Sequence, residues 1–391
     1  MHTEIESWLE QINHSLPSFV DTLGKPDQVG RYYPCLDGVT AMGKQISLGF
    51  STFAARIYYM LNRLDEFPED QRNVWADYLR SFQTRDCSAW HCGENDYGFI
   101  DRPQVDYLLA RESEKPILPK TPRAIARRLI NLVYNFNMPS PPFPPLKSTI
   151  MAETRQALIT LSLMGEQPEM PYRGFPLDED GVIRFLQLQD WSRPWGAGAH
   201  AAVLAVFVVS QSPLILDDPQ FVKTLKDTIA QFLDGIVDSE TGCYFIGRRP
   251  DYTELVNGCH KVLTALEWLD VKIHYPERII DTILAKTPFS EGCHLVDAVY
   301  PLYRCSLQVD YRRDDIREYG LQLVDMIRRH YNDDGGFSYY IGRSQTKYYG
   351  IEISAGLNES DLHGSLLLTW ALTMLVQILD INICGWKTFR P

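Results

Sequence analysis

Hydrophobic positions along this chain recur mainly at intervals of three and four residues, which is the spacing of one face of an α-helix. Almost no segment alternates with the period of two that marks a β-strand. The pattern therefore indicates an all-α protein. The clearest predicted helices are 43–64, 152–164, 200–209, 221–236, 260–269, 294–302, 316–330 and 363–379.

The predicted helices are of two kinds. "PQFVKTLKDTIAQFLDGIVD" (219–238) carries its charges on one face, whereas "HGSLLLTWALTML" (363–375) is apolar nearly all round. A helix of the first kind has a wet side, and one of the second kind must be enclosed by other helices. Their alternation predicts an outer and an inner ring around a central cavity, that is, an (α/α) toroid or barrel. We expect one domain over 1–391, with the Pro-rich stretch 138–147 as a long loop inside it.

A short polar turn is repeated along the chain. "SETGCYFIGRR" (239–249) and "NDDGGFSYYIGRS" (332–344) each follow an amphipathic helix, and "CGENDYGFID" (92–101) is a weaker third copy. Glycine tolerates the left-handed conformation that ends a helix, and Asp and Asn favour turns. The repeat therefore predicts the points where the chain leaves an outer helix and crosses to the inner ring.

The best copy of this turn, Asp333-Asp334-Gly335-Gly336-Phe337, resembles the turns of the terpenoid cyclase and protein prenyltransferase α/α-toroid superfamily. The resemblance implies an enzyme that acts on an isoprenoid-like substrate by acid-initiated cyclisation or prenyl chemistry. It also implies roles for Glu359 and Asp361, which match the first and third members of the Asp-x-Asp-Asp motif of the cyclases. Asp361 would be the proton donor, although Leu362 replaces the last Asp of the motif. The structural alternative for Asp361 is a helix N-cap.

Four of the nine histidines precede or open predicted apolar helices: His200, His260, His294 and His363. Helix N-termini direct unpaired N–H groups and a positive dipole end into the space that they face. We therefore predict that these histidines meet in one polar cavity at one end of the inner ring. His363 and His200 would hydrogen-bond the acid, and His260 and His294 would bind substrate.

Polar and aromatic residues near these helices suggest a substrate with a polar part. Arg343 and Tyr348 would hold a polar head group, and Trp195 and Asp297 are further candidates for substrate binding. The same residues, together with Tyr349, Arg248, Asp190 and the four histidines, also suit a carbohydrate-active α/α-barrel enzyme, whether a lyase, a hydrolase or an epimerase. A non-catalytic toroid that binds a protein or sugar chain is a third reading.

Zinc is not expected. The prenyltransferase resemblance implies a zinc site in which Cys259 and His363 match two of the ligands. However, Asn257 stands where that site needs an Asp, and a neutral amide is a poor zinc ligand. We predict no metal and no other cofactor.

Composition limits the remaining possibilities. A formal charge of −12 and a pI near 5.3 disfavour nucleic-acid binding, which needs a basic face. The N-terminus lacks the features of a secretory signal, and the apolar run from Ala201 is shorter than the ~20 residues of a membrane span. We expect a cytoplasmic protein without transmembrane helices, eight cysteines that are mostly reduced, and a small-molecule substrate, either isoprenoid or sugar. The sequence does not predict an oligomeric state.

Overall fold

The computed structural model describes residues 2–90, 93–113, 145–383 and 385–391. Long helices dominate these residues, and their one sheet is a hairpin of two short strands. The helices are α1 (His2–Leu23), α2 (Leu48–Met60), α3 (Glu69–Arg80), α4 (Arg102–Ser113), α5 (Pro145–Leu163), α6 (Glu179–Gln187), α7 (Pro194–Ser210), α8 (Pro219–Asp234), α9 (Tyr252–Leu269), α10 (Pro276–Leu284), α11 (Gly292–Ser306), α12 (Arg313–Arg328) and α13 (Leu362–Ile378). The strands are β1 (Lys347–Tyr348) and β2 (Ile351–Glu352).

Six of these helices close into an inner ring. In order, α2, α5, α7, α9, α11 and α13 each pack against the next, and α13 returns to pack against α2. The remaining helices lie outside it: α6 and α8 flank α7, α10 and α12 flank α11, and α1 and α3 cover α2. The predicted all-α fold, an α/α toroid with inner and outer rings, is confirmed.

The inner helices α7 and α9 run parallel and approach one another very closely. A Cβ atom added at Gly258 would lie 2.6 Å from Cβ of Pro194, and one at Gly198 would lie 3.0 Å from Cβ of Lys261. Only glycine can fill these positions without pushing the helices apart. The close contact places the inward faces of α7 and α9 side by side in the ring.

The repeated turns form small hairpins. Antiparallel bridge pairs follow three outer helices, namely Gln83 with Phe99, Val237 with Tyr244, and Tyr331 with Phe337. Gly242 and Gly335 have φ angles of 72° and 90°, in the left-handed region that glycine tolerates. The turn repeat is therefore a structural device that redirects the chain from the outer to the inner ring.

Three inner helices, α5, α7 and α9, begin earlier than the sequence pattern predicts. Helix α7 starts with Pro194, a residue suited to the first helical turn, and α9 starts after Asp251, whose carboxylate accepts a hydrogen bond from the Glu254 N–H. The prediction that His200 and His260 open their helices is therefore wrong. Both lie well inside, on the walls of the ring.

The structure also contains helices that the sequence pattern did not predict, and one helix extends into a predicted loop. The described helices α1, α4, α6 and α10 were not predicted; α6 and α10 have nine residues each. Residues 145–147 of the predicted Pro-rich loop belong to α5, and 138–144 lie outside the described residues. By length and composition, Pro194–Leu214 could cross a membrane, but two-thirds of its apolar window is buried in the ring, as in the core helix of a soluble protein.

Candidate functional site

The inner ring encloses a cavity of about 550 Å³. Side chains from all six inner helices line it, and so do residues of the β1–β2 turn and of the C-terminal segment. The residues with chemistry to offer are Arg56, Arg155, Gln156, His200, His260, Lys261, Cys293, Asp297, Tyr349 and His363. Much of the remaining wall is apolar, and it includes Phe53, Val203, Leu366 and Trp370.

A buried histidine and a buried aspartate form a hydrogen-bonded pair on this wall. Nδ1 of His260 on α9 donates to Oδ1 of Asp297 on α11. Burial, and then the charge of Lys261, lowers the pKa of His260 to about 4, so the ring is neutral at neutral pH. Since Nδ1 carries the proton that Asp297 accepts, Nε2 holds a free lone pair. His260 is therefore in the protonation state of a general base.

Asp297 is held in its ionised form. Its side chain is 1% exposed, and Nζ of Lys261 lies 3.1 Å from the same Oδ1 atom. Burial alone would raise the pKa of Asp297, but Lys261 and His260 together lower it below its usual value. Its second oxygen, Oδ2, is buried and has no hydrogen-bond partner among the described residues. A carboxylate held in this way can stabilise the imidazolium that forms when His260 takes a proton.

Two arginines that face the cavity differ in their partners. Arg56 donates to Oγ1 of Thr160 at 3.0 Å and to the carbonyl oxygen of Gln156 at 2.7 Å. Arg155 makes no hydrogen bond or ion pair with any described residue, and its Nε is buried without a partner. Burial lowers the pKa of Arg155, and burial with the nearby charge of Arg155 lowers that of Arg56 to about 9. An unpaired guanidinium beside a second one is a ready site for an anion.

The other two histidines on the wall are also neutral. Nδ1 of His200 donates to the Gly196 carbonyl at 3.0 Å, and its Nε2 lies 3.1 Å from Oγ of Ser148. Nδ1 of His363 donates to Oε1 of Gln345 at 2.9 Å. Burial lowers the pKa of both, and that of His363 falls to about 3 with a further contribution from Lys261. The cavity therefore offers imidazole bases rather than imidazolium acids.

Tyr349 reaches the cavity from a strained turn. It occupies the β1–β2 hairpin with Gly350, and its φ of 46° is unusual for a bulky residue. Burial raises the pKa of its hydroxyl above the usual value, so the group remains protonated. Its neighbour Tyr348, predicted to bind substrate, is instead buried behind the wall, where it donates to Glu153. The two tyrosine rings are in contact, with centroids 4.5 Å apart.

The two carboxylates predicted from the cyclase resemblance are not among the described residues that line the cavity. Asp361 caps α13: its carboxylate accepts the N–H groups of Tyr339, Gln345 and Gly364 at 2.7 to 2.9 Å. Burial raises its pKa to about 6. Glu359 accepts the N–H groups of Asp37 and Gly38, both at 2.8 Å. This arrangement favours the capping alternative for Asp361.

The remaining predicted binding residues lie outside the cavity. Arg343 is exposed and stacks on the ring of Tyr340, 4.6 Å from its centre. Trp195 and His294 are in ring contact with one another, with centroids 5.6 Å apart, on the first turns of α7 and α11. Of the four histidines, His200, His260 and His363 thus share the cavity, whereas His294 is not among its lining residues.

The two zinc ligands implied by the resemblance have different surroundings. Cys259 is buried beside Cys243 and Cys305, and burial raises its pKa well above the usual value, whereas His363 contacts Gln345. Across the residues the structure describes, no group of three His, Cys, Asp or Glu side chains could hold a metal ion.

Sequence analysis missed Arg56, Arg155 and Lys261. Each is a cation in the middle of an inner, mostly apolar helix. A charged side chain in such a position is costly unless it is paired or functional, and this was the signal available in the sequence.

The far end of the cavity is covered by the C-terminal segment. Phe389 stacks on Trp370 with ring centroids 5.3 Å apart, and Nε1 of Trp268 donates to the Pro391 carbonyl at 2.5 Å. Trp268 lies at the C-terminal end of α9, and Trp370 lies in the middle of α13. Because the C-terminal segment covers this side, we take the end where the inner helices begin as the mouth of the cavity.

No model of a known protein family matches the chain, and no curated protein matches it in sequence. Two solved structures are similar in shape. A protein from Actinoplanes has a TM-score of 0.41 and 11% identity, over 94% of this chain and 99% of its own. A possible member of the GH105 family from Salmonella enterica serovar Paratyphi A has a TM-score of 0.34 and 12% identity, over 98% and 95%. TM-scores below 0.5 do not establish a shared fold, so the α/α ring is assigned from the helix packing alone.

Proposed function

We propose that this protein is a carbohydrate-active enzyme that binds an acidic sugar of the uronate class in its central cavity and removes a proton from one of its carbons. One observation carries the proposal: the unpaired guanidinium of Arg155 lies near the neutral base His260, which Asp297 holds in place. A positive site for a carboxylate beside a base is the arrangement that such a reaction requires.

The chemistry follows from these charges. The sugar carboxylate pairs with Arg155, and this pairing makes the hydrogen on the adjacent carbon more acidic by stabilising the negative charge that develops. Nε2 of His260 takes that proton, and Asp297 stabilises the resulting imidazolium. The electron pair left on the carbon then either accepts a proton from the other face, which epimerises the sugar, or expels the oxygen on the next carbon.

Glycoside hydrolysis is less well supported. Hydrolases of the usual kind place two carboxyl groups on either side of the scissile bond. The described residues that line the cavity contribute one carboxylate, that of Asp297, and its oxygens are engaged with His260 and Lys261 or buried.

The isoprenoid reading is a second candidate because much of the cavity wall is apolar. Acid-initiated cyclisation needs a protonated carboxylic acid that faces the substrate. Asp297 is ionised, and Asp361 is committed to three backbone N–H groups away from the described lining. The apolar wall supports this candidate, but the ionisation states do not.

The test is a substrate panel incubated with the purified protein in deuterated water. The panel contains uronate monomers, uronate oligosaccharides and polyprenyl diphosphates. We expect deuterium in recovered uronate, or the ultraviolet absorbance of an unsaturated uronate, and both should be lost in His260→Gln. Turnover of the polyprenyl diphosphates alone would overturn the proposal in favour of the isoprenoid candidate. Binding of uronates without any reaction would indicate a sugar-binding protein rather than an enzyme.

A further inference from the structure

We infer that Trp195, Phe289 and His294, together called the rim platform, form a second sugar subsite at the mouth of the cavity. The substrate is then an acidic oligosaccharide rather than a single sugar. This inference rests on the proposed function and extends it, because it favours elimination over epimerisation.

The rim platform is a set of aromatic rings in which Trp195 and Phe289 both contact His294. The His294 ring lies 5.6 Å from the Trp195 ring and 5.6 Å from the Phe289 ring, centre to centre. Phe289 is 63% exposed, an unusual state for so large an apolar side chain. Aromatic faces pack well against the apolar C–H faces of sugar rings, so a bound sugar would cover the exposed ring of Phe289.

The platform is continuous with the cavity. Trp195 lies one turn before the lining residue Ala199 on α7, and His294 lies one turn before Asp297 on α11. Because these inner helices start at the same end of the ring, both side chains stand one turn outside the proposed reaction centre. One turn of helix is about 5.4 Å, close to the length of one sugar unit.

Polar atoms lie among the rings. Nδ2 of Asn257 donates to Nδ1 of His294 at 2.9 Å, so Nε2 of His294 carries the proton. Oε2 of Glu291 lies 3.9 Å from that Nε2 atom. Sugar hydroxyl groups can therefore bond at the edge of a ring that is stacked on the platform. A purely hydrocarbon ligand would not use these groups.

A second sugar in this place determines the outcome of the reaction. His260 removes the proton beside the carboxylate, the C–H electron pair forms a C=C bond, and the C–O bond to the neighbouring sugar breaks. The imidazolium of His260 then returns its proton to the departing oxygen. The C–H and C–O bonds break, the C=C π bond and an O–H bond form, one proton passes through His260, and no oxidant or cofactor is consumed.

The test compares the binding of galacturonic acid and of its α-1,4-linked trimer by calorimetry. In the wild-type protein we expect the trimer to bind more tightly than the monomer. In Phe289→Ala and Trp195→Ala the trimer should lose about 3- to 10-fold in affinity, as expected for one aromatic contact, while monomer binding is unchanged. Leu307→Ala is the matched control, because Leu307 is 64% exposed and lies at the opposite end of α11.

The outcomes separate the inference from the proposed function. The rim subsite would be overturned if the trimer bound all variants with equal affinity, or if monomer and trimer lost affinity equally. Either result would leave the proposed function of the cavity intact. Failure of the wild-type protein to bind either ligand would overturn both. Phe289→Ala guards against misfolding, since its ring is mostly exposed already.

Discussion

Replacing Arg155 by Met should make the folded protein more stable while abolishing the binding of acidic sugars. Met keeps the unbranched apolar stem of the side chain and removes the guanidinium. In the native chain the guanidinium makes no hydrogen bond or ion pair with any described residue, and its Nε is buried without a partner. A binding site of this kind lowers stability until its ligand arrives, because the protein must hold an uncompensated charge ready.

The size of the effect follows from what the guanidinium lacks. A buried donor without a partner costs about 1–3 kcal/mol, so Arg155→Met should raise the free energy of unfolding by about that amount. Arg56 provides the matched control because it faces the same cavity. Its hydrogen bonds to Thr160 and Gln156 would be lost in Arg56→Met, which should lower the free energy of unfolding by about 2–4 kcal/mol. The two substitutions should therefore have opposite signs.

Urea unfolding followed by circular dichroism measures both changes, with and without galacturonic acid. The ligand should raise the midpoint of the wild-type protein but not that of Arg155→Met. Comparable destabilisation by the two Met variants would mean that Arg155 is a structural residue. Arg155 would then not form an anion site, and the proposed substrate class would be wrong.

Three further predictions follow from other buried groups. His260→Gln should lower kcat/KM by about 100-fold or more. In the wild-type protein, kcat/KM should fall on the acid side near pH 4, where His260 becomes protonated. The free energy of unfolding should also fall as the pH drops from ~6.5 toward 4, because in that range the His260 imidazole takes up a proton only in the unfolded chain. Asp361→Ala should cost more unfolding free energy than the ~1 kcal/mol of Asp251→Ala, because Asp361 accepts three backbone N–H groups and Asp251 accepts one; equal denaturation midpoints would contradict this. Burial raises the pKa of Glu153 to about 8, so between pH ~4.5 and 8 this carboxyl group releases its proton only in the unfolded chain. The free energy of unfolding of the wild-type protein should therefore decline as the pH rises through this range, and urea titrations of Glu153→Gln should show a smaller decline.

The ring was predictable because the spacing of apolar residues indicates both the helical period and the buried face of each helix. The fully apolar segment of α13 could only be a core helix, and the charged face of α8 could only lie outside. The short helices α6 and α10 were harder to predict, because nine residues show the helical period over only about two and a half turns. Helix starts were displaced where a cap lay further upstream, as with Asp251.

The site was predictable only in part, for a physical reason. A polar residue at the head of a helix satisfies backbone N–H groups first, and Asp361 and Glu359 do so. The sequence pattern of a cap and that of an acid at a helix head are the same. His260 and Asp297 belong together only because α9 and α11 are neighbours in the ring and bring positions 37 residues apart into contact. No local spacing records that contact.

The repeated hairpins and the cavity charges have different origins in the chain. The hairpin recurs after α3, α8 and α12, where the chain is redirected in the same way after an outer helix. Among the described lining residues, the charged side chains Arg56, Arg155, Lys261 and Asp297 come from α2, α5, α9 and α11, whereas α7 and α13 contribute apolar or neutral ones. A symmetric ring with a uniform apolar wall would bind a hydrocarbon without orienting it. The cations, the base His260 and the carboxylate of Asp297 break that symmetry, and this asymmetry is what could fix one carbon of an acidic sugar beside His260.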